Sequence, residues 1–314
     1  MKRIAKLTAI ISTLNRPELL ARCLDALLAG DVLPAEIIIV DQSADHKTGL
    51  VVAQRTTTAV RIHYLRQEQR GLSASRNAAV GCATFPLLAI TDDDCVPDKR
   101  WIAIVERVFS SVKAPDALTG RVLPLGQEVP GLYAVSSRSA RQRVEFSGRV
   151  EPWLVGTGGN FAIKQEWLER VGTFDERLGA GSPGGGAEDI DLLYRLASAG
   201  ARILYDPDAL IYHERQSKVR RLASRLTYGR GIGVFCAKWM RRRDPYAWRI
   251  LGQWLFLRAR LTASALRRGR LDSVYEEWLV LQGTARGLLQ GIFRLPKVAK
   301  GIRTLRGGSS IAGS

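Results

Sequence analysis

Short apolar runs rich in β-branched residues alternate with helical periods through the first third of the chain. Residues 7–12, 36–40, 61–65 and 86–91 read as strands, and 17–29 and 72–83 carry helical spacing between them. That rhythm predicts βαβ units around a mostly parallel sheet, hence an α/β fold. Such sheets collect ligands at the carboxyl ends of their strands, where the connecting loops gather. Polar residues stand at those ends: Asn15 and Arg16 after the first run, Asp41 after the second, and Asp92, Asp93 and Asp94 after the fourth.

The pattern loosens over residues 120–214, where glycine clusters at 155–161 (VGTGGNF) and 178–186 (LGAGSPGGG). The second cluster is too flexible for a regular element and precedes a helix start at 187–191, so it reads either as a mobile lid or as a solvent-exposed linker. From residue 217 onward long apolar stretches are interrupted by Arg. A helical projection of 246–268 sets Arg249, Gln253, Arg260, Ser264 and Arg267 on one side, with Trp248, Leu251, Trp254, Leu255, Leu261 and Leu266 opposite; Arg258 interrupts the apolar side.

Composition excludes disorder, since 314 residues at 46% hydrophobic content can bury a sizeable core. The net charge of +17 resides entirely in residues 216–314, where 17 Arg and 4 Lys face four acids. The first 215 residues balance at 26 basic and 26 acidic. A neutral body with a basic C-terminal region points to a localised anionic partner: a membrane surface, a phosphate-rich acceptor or nucleic acid. Cys23, Cys82, Cys95 and Cys236 are scattered without C-x-x-C spacing, so neither a zinc site nor a disulfide framework is expected, and a reducing cytosol fits. The N-terminus lacks the apolar core and cleavage site of a signal peptide, and no apolar run is long enough for a spanning helix.

Three adjacent acids after an apolar strand repel one another unless a cation intervenes. If 87–94 stays extended, Asp92 and Asp94 point one way and Asp93 the other. Hard oxygen ligands suit Mn²⁺ or Mg²⁺ bridging to a diphosphate. By itself, an acidic turn of this kind is also a common surface feature.

Other stretches join this one: 8–17 (TAIISTLNRP), 37–43 (IIIVDQS), 71–77 (GLSASRN), 90–97 (ITDDDCVP), Gly158-Gly159-Asn160 and 188–191 (EDID). In order and spacing they resemble glycosyltransferase family 2 over residues 5–214. The resemblance implies a GT-A (Rossmann-like) nucleotide-sugar-binding catalytic domain at 1–215, with 216–314 a basic, amphipathic helical region. It further implies that Thr13, Asn15, Arg16 and Asp41 contact the nucleotide, that Arg76, Asp92 and Asp93 lie near the donor, and that Asp94, Asp92 and His213 hold the metal. Gly158, Gly159 and Asn160 match a loop that contacts sugar. Asp189, with Glu188 beside it, matches the carboxylate that takes the acceptor's proton in inverting members. The residues alone leave helix capping open for the acidic pair, an ion pair open for Arg76 and a structural histidine open for His213.

The expected reaction is inverting, metal-dependent transfer of a sugar from a nucleoside diphosphate, a UDP-sugar foremost, to a glycan or lipid-linked hydroxyl. A non-catalytic nucleotide-sugar-binding or membrane scaffold protein on the same fold is the alternative. Trp239, Trp248, Trp254 and Trp278, interleaved with Arg241, Arg242, Arg243, Arg258, Arg260, Arg267 and Arg268, suit the headgroup layer of an anionic membrane. Nucleic acid is not expected as a partner, because no nucleic-acid-binding motif accompanies the charge. The region could equally pack on the catalytic domain and present only basic polar faces. The placement implied is cytoplasmic, peripheral at the inner face of the cell membrane.

Overall fold

Successive residues of the first strand feed two different cores, and the sheet is covered on both sides as a result. In the computed structural model, which describes residues 2–135 and 137–293, β1 (Arg3–Thr13) directs Ala9 and Ile11 to one face and Ile10 to the other. β2 (Val32–Asp41) repeats the pattern with Ile37 and Ile39 against Ile38 and Val40. That is the period-two alternation of strands buried on both faces.

The helix α1 (Pro17–Ala29) lies between β1 and β2, its start set by Pro17, whose fixed φ suits a first helical position. After α2 (Lys47–Ala53) and β3 (Arg61–Arg66) come α3 (Leu72–Cys82) and β4 (Leu87–Asp92). β4 ends at Asp92, and the chain turns through Asp93 and Asp94 before β5 (Cys95–Pro97). The extended alternation expected across the three acids therefore does not hold. Next are α4 (Trp101–Phe109), β6 (Ala117–Pro124), the short β7 (Leu132–Tyr133) and β8 (Val144–Phe146), β9 (Asn160–Lys164) and α5 (Gln165–Val171). α6 (Glu188–Ser198), β10 (Ile203–His213) and β11 (Gln216–Ser217) complete the α/β part.

The nine-stranded sheet runs β3-β2-β1-β4-β9-β6-β10-β5, with β8 on β10. β1, β2, β3 and β4 are parallel, as are β6 and β10. β9 enters antiparallel between β4 and β6. Register gathers the polar strand ends, pairing Thr13 with Asp41 and Ser12 with Asp92. Antiparallel pairing of β10 with β5 sets His213 opposite Cys95.

Three long helices follow: α7 (Lys218–Arg241), α8 (Tyr246–Arg267) and α9 (Leu271–Phe293). Arg294, Lys297, Lys300, Arg303 and Arg306 of the expected basic region lie outside the described residues. α7 and α9 run parallel with backbones in contact: a Cβ on Gly233 would stand 2.2 Å from the Thr284 carbonyl oxygen, and one on Gly287 2.1 Å from that of Arg230. A third core joins these helices to α6 through Ile190, Tyr194, Ile232, Phe235, Ile250, Trp254 and Val280. Lys238 of α7 is buried and binds Asp191 of α6 at 2.6 Å and Asp175 at 2.8 Å.

The projected apolar side of α8 divides. Trp254 is buried, whereas Trp248, Leu255, Leu261 and Leu266 face outward. Arg258, the interruption, is itself buried, stacked 4.3 Å over Trp254 and paired with Glu277 of α9 at 3.1 Å. A guanidinium can occupy an interior position when a carboxylate and an aromatic face meet it there.

Candidate active site

Two cavities meet at the carboxyl end of β1. The first, of about 520 Å³, is lined by Leu14, Asn15, Gln42, Ser43, Arg66 and Gln67 among others. Asn15 holds a left-handed φ of 54°, donates its backbone N–H to Ser43 Oγ at 2.7 Å and accepts from the Ala44 N–H. Gln42 and Gln67 share an amide hydrogen bond of 2.9 Å across it. Asp41 lies beneath this cavity rather than in its wall. It is fully buried, with one oxygen accepting from the Ser43 N–H at 2.8 Å and the other from the Tyr64 hydroxyl at 2.6 Å. Both Asp41 oxygens are thus engaged within the fold, and Gln42, Ser43 and Gln67 present polar edges to the cavity.

The second cavity, about 500 Å³, is lined by Arg16, Arg76, Asp92, Gly158, Gly159, Glu188, Asp189 and His213 together with residues of the 180–187 loop and α7. The glycine-rich loop therefore forms a wall of the site, anchored where the Leu72 N–H donates to the Ala180 carbonyl at 2.9 Å.

Arg76 is the hub. It is 1% exposed, and its guanidinium donates to Asp92 at 2.7 Å and to Glu188 at 3.0 Å. Burial disfavours its charge, but Asp92 and Glu188 outweigh that and raise its pKa. Burial and the adjacent Asp189 push Glu188 up to about 7 against the pull of Arg76. Arg16 plays the same part for the other acids, donating to Asp93 at 3.1 Å and to Asp94 at 3.0 Å. Asp93 is buried and also accepts from Thr13 Oγ1 at 2.8 Å; burial and Asp94 push its carboxyl up to about 7, against Arg16. Thr13 and Asp93 are a pair inside the fold and hold the turn rather than line a cavity.

Asp94 is the acid that meets a second kind of ligand. His213 Nε2 lies 3.5 Å from Asp94 Oδ1. His213 Nδ1 lies 2.8 Å from the Glu214 carbonyl, which can only accept, so that nitrogen donates there and Nε2 is the one turned to Asp94. Two donors on one Mn²⁺ or Mg²⁺ at about 2.1 Å each stand about 3 Å apart, so this pair fits such an ion. Cys95 completes the cluster, with its ligand atom within 4.8 Å of the other two. Burial and then Asp92 and Asp94 hold its thiol protonated, so Asp94 and His213 are the better donors. Sequence spacing could not reveal Cys95, because only the pairing of β5 with β10 brings it beside His213.

Close approach explains the glycines. A Cβ on Gly159 would stand 2.6 Å from Asp92 Oδ2, and one on Gly158 2.9 Å from Arg76 Nη1 and 3.0 Å from the Asp189 Cβ. Asn160 takes a different task from the sugar contact expected of it. Its amide donates to the Arg121 and Ala209 carbonyls and accepts from Trp101 Nε1, and at 2% exposure it lines neither cavity.

Asp189 stands at the start of α6, accepting the Gly158 N–H and the Ile190 N–H at 2.8 Å each. The N-cap of α6 is Ala187, with no side-chain cap; Asp189 holds an N–H of the first turn with one oxygen and the glycine loop with the other. It also lines a third cavity, of about 640 Å³, which shares Val135, Thr157, Gln216, Ser224 and Tyr228 with the second. One carboxylate thus borders two adjoining chambers, of which the second also holds Arg16, Arg76, Asp92 and His213.

Comparisons with known proteins place the family and the fold. The sequence profile described as Glycosyl transferase family 2 matches residues 8–172. The hyaluronan synthase of Pasteurella multocida is 24% identical over 78% of the chain, and the chondroitin synthase of Escherichia coli 24% identical over 86%. The chain spans only 28% and 42% of those two enzymes. The glycosyltransferase AglE of Haloferax volcanii is 24% identical, covering 71% of this chain and 72% of its own. Among solved structures, a mannosyltransferase from Pyrobaculum calidifontis, in complex with GDP-Man and Mn²⁺, superposes with a TM-score of 0.61 at 20% identity, covering 93% of this chain and 88% of its own. Staphylococcus aureus TarS (residues 1–349) gives 0.53 at 18% identity, over 74% of this chain and 64% of its own. The fold is that of these nucleotide-sugar enzymes, and with more than half of its length matched by the profile, the chain belongs to glycosyltransferase family 2.

Proposed function

We propose that the protein is an inverting, metal-dependent glycosyltransferase that moves a sugar from a nucleoside-diphosphate donor, a UDP-sugar foremost, to a hydroxyl of a glycan or lipid-linked acceptor. The observation that carries this reading is the position of Asp189 in the wall of two adjoining cavities, one of them also lined by Arg16, Arg76, Asp92 and His213, with Asp94 beside His213.

The cavity beside Gln42, Ser43 and Gln67 would take the nucleoside, and Asn15 and Arg16 lead from it to the chamber of the acids. There Arg16 and Arg76 would hold negative oxygens of the donor. Mn²⁺ or Mg²⁺, held by Asp94 and His213 with Asp92 nearby, would supply charge stabilisation for the departing diphosphate. Asp189 would accept the proton of the acceptor hydroxyl. Each of its oxygens is used once by a backbone N–H and retains further acceptor capacity. The hydrogen bonds from the Gly158 and Ile190 N–H groups fix the carboxylate in place. Glu188, turned to Arg76, keeps that guanidinium oriented.

The partner surface proposed is an anionic membrane at the cytoplasmic face. In support, α8 and α9 expose Trp248 and Phe256 at 65% each, Leu289 at 59% and Phe293 at 78%, with Arg249, Arg260 and Arg267 alongside on α8. No described helix is long and apolar enough to cross a membrane.

Calorimetry of UDP with and without Mn²⁺, paired with a transfer assay, tests the core of the proposal. Asp94→Ala is expected to remove the Mn²⁺ dependence of UDP binding. Asp189→Asn is expected to keep that binding and lose about 10²–10⁴-fold in transfer. Full transfer by Asp189→Asn would place the base elsewhere; metal-independent binding by the wild type would overturn the metal assignment.

A further inference from the structure

The third cavity has a chemical character of its own. Three guanidiniums, those of Arg138, Arg221 and Arg225, line it. One carboxylate, Glu276, serves two of them, meeting Arg221 at 2.6 and 2.8 Å and Arg225 at 3.0 Å. No carboxylate pairs with Arg138 among the described residues. It lies 4.2 Å over the ring of Tyr205, and its Nε is buried without a hydrogen-bond partner. Even with Asp189 at the mouth counted, the walls carry a surplus of positive charge.

The floor is aromatic. Trp153 and Tyr228 line the cavity, and each packs on Trp254 with ring centroids 5.5 Å apart, which fixes their orientation. Burial and the neighbouring Asp189 push the Tyr228 hydroxyl up to about 12, so it stays protonated and able to donate. Gln216 and Ser224 add amide and hydroxyl groups. Flat apolar faces with a few polar groups suit a sugar ring, and unsaturated guanidiniums suit an oxyanion.

Resting on the transferase reading above, we infer that this cavity is the acceptor site and that it selects an acidic acceptor, a sugar bearing a carboxylate or a phosphate near the hydroxyl that is glycosylated. Arg221, Arg225 and Tyr228 come from α7, so part of the basic C-terminal charge is committed to substrate and not only to a surface. Carboxylate and phosphate present the same bidentate oxygens to a guanidinium, and the experiment separates them.

Saturation-transfer NMR would compare methyl β-glucuronide, glucose 6-phosphate and methyl β-glucoside, each with and without UDP and Mn²⁺. At least one acid is expected to bind ten times more tightly than the neutral glucoside, with the advantage shrinking as salt rises. The stronger of the two identifies the anion. The double variant Arg138→Gln/Arg225→Gln is expected to bring the preference within twofold while UDP–Mn²⁺ affinity stays unchanged, and Arg138→Lys/Arg225→Lys to keep most of it. Equal binding of all three sugars, no binding by either acid, or an undiminished preference in the Gln variant would overturn the inference. Loss of UDP–Mn²⁺ binding in the wild type would instead overturn the transferase reading, so the two failures are distinguishable.

Discussion

Arg76 shows how one buried side chain can fix two others whose sequence positions give no hint of contact. Its partners Asp92 and Glu188 stand 16 and 112 residues away. Arg76→Met keeps the volume and removes the charge, leaving both acids without it. The expected cost is about 3–5 kcal/mol, the range for breaking a buried pair on one side, read as a lower urea midpoint with an unchanged slope. At this scale the acids, Arg16 and Asp189 were legible in the sequence because they stand at strand ends and helix starts, where order along the chain is itself informative. Asp41 and Asn160 were not. Their polar atoms are consumed by Tyr64, Trp101, Arg121 and Ala209, and those contacts exist only once β3, α4, β6 and β10 have assembled. Gln42 and Gln67 escaped for the converse reason, since amides without charge or a recurring motif leave no signal.

Among the elements, the packing of α6 on α7 includes a buried charge cluster beside its apolar core. Burial works against ionisation of Asp191, but Lys238 and Arg195 pull its pKa below the ordinary carboxylate value; Asp175 is likewise held low, by Arg177 and Lys238 against burial. A lowered folded pKa contributes stability above the unfolded value, near 3.9, and that stability drains away as pH falls through the folded value. Lys238→Met is therefore expected to be less stable than the wild type by about 3–5 kcal/mol at pH 7, with the gap narrowing at pH 3, where the two acids, no longer held low by Lys238, take up protons in the folded variant. Urea unfolding at the two pH values checks it, and a gap independent of pH would disprove the electrostatic account. The parallel strands and the helix Pro17–Ala29 could be read from periodicity. The strand Asn160–Lys164 could not, because an antiparallel insertion between β4 and β6 is a tertiary choice made by a five-residue segment. The split face of α8 was hidden because Arg258 becomes an interior residue only through Glu277 of another helix.

At the scale of the whole molecule, charge and apolar surface are unevenly shared. The first 215 residues are neutral and residues 216–314 carry the positive excess, part of it on α7, α8 and α9, the last two of which also expose Trp248, Phe256, Trp278, Leu289 and Phe293. Flotation with vesicles containing phosphatidylserine should bring the protein to the top of the gradient, and neutral vesicles should bring up far less. Replacing Trp248, Phe256 and Trp278 by Ser should lower the floated fraction at least tenfold. An equal yield with neutral and anionic vesicles would remove the membrane proposal and leave the helices as packing elements and as a wall of the third cavity.

The glycine contacts between α7 and α9 bear on how this region folds. Gly229, Gly231 and Gly233 interrupt one helix and Gly283, Gly287 and Gly291 the other, and each glycine weakens an isolated helix by about 0.8–1 kcal/mol relative to alanine. Neither segment is helical by preference; each gains its helix from the other's backbone. α9 is then a folding partner of α7 across some fifty residues, and a chain cut short before Leu271 should lose cooperativity as far back as Lys238, which pairs with Asp191 of α6.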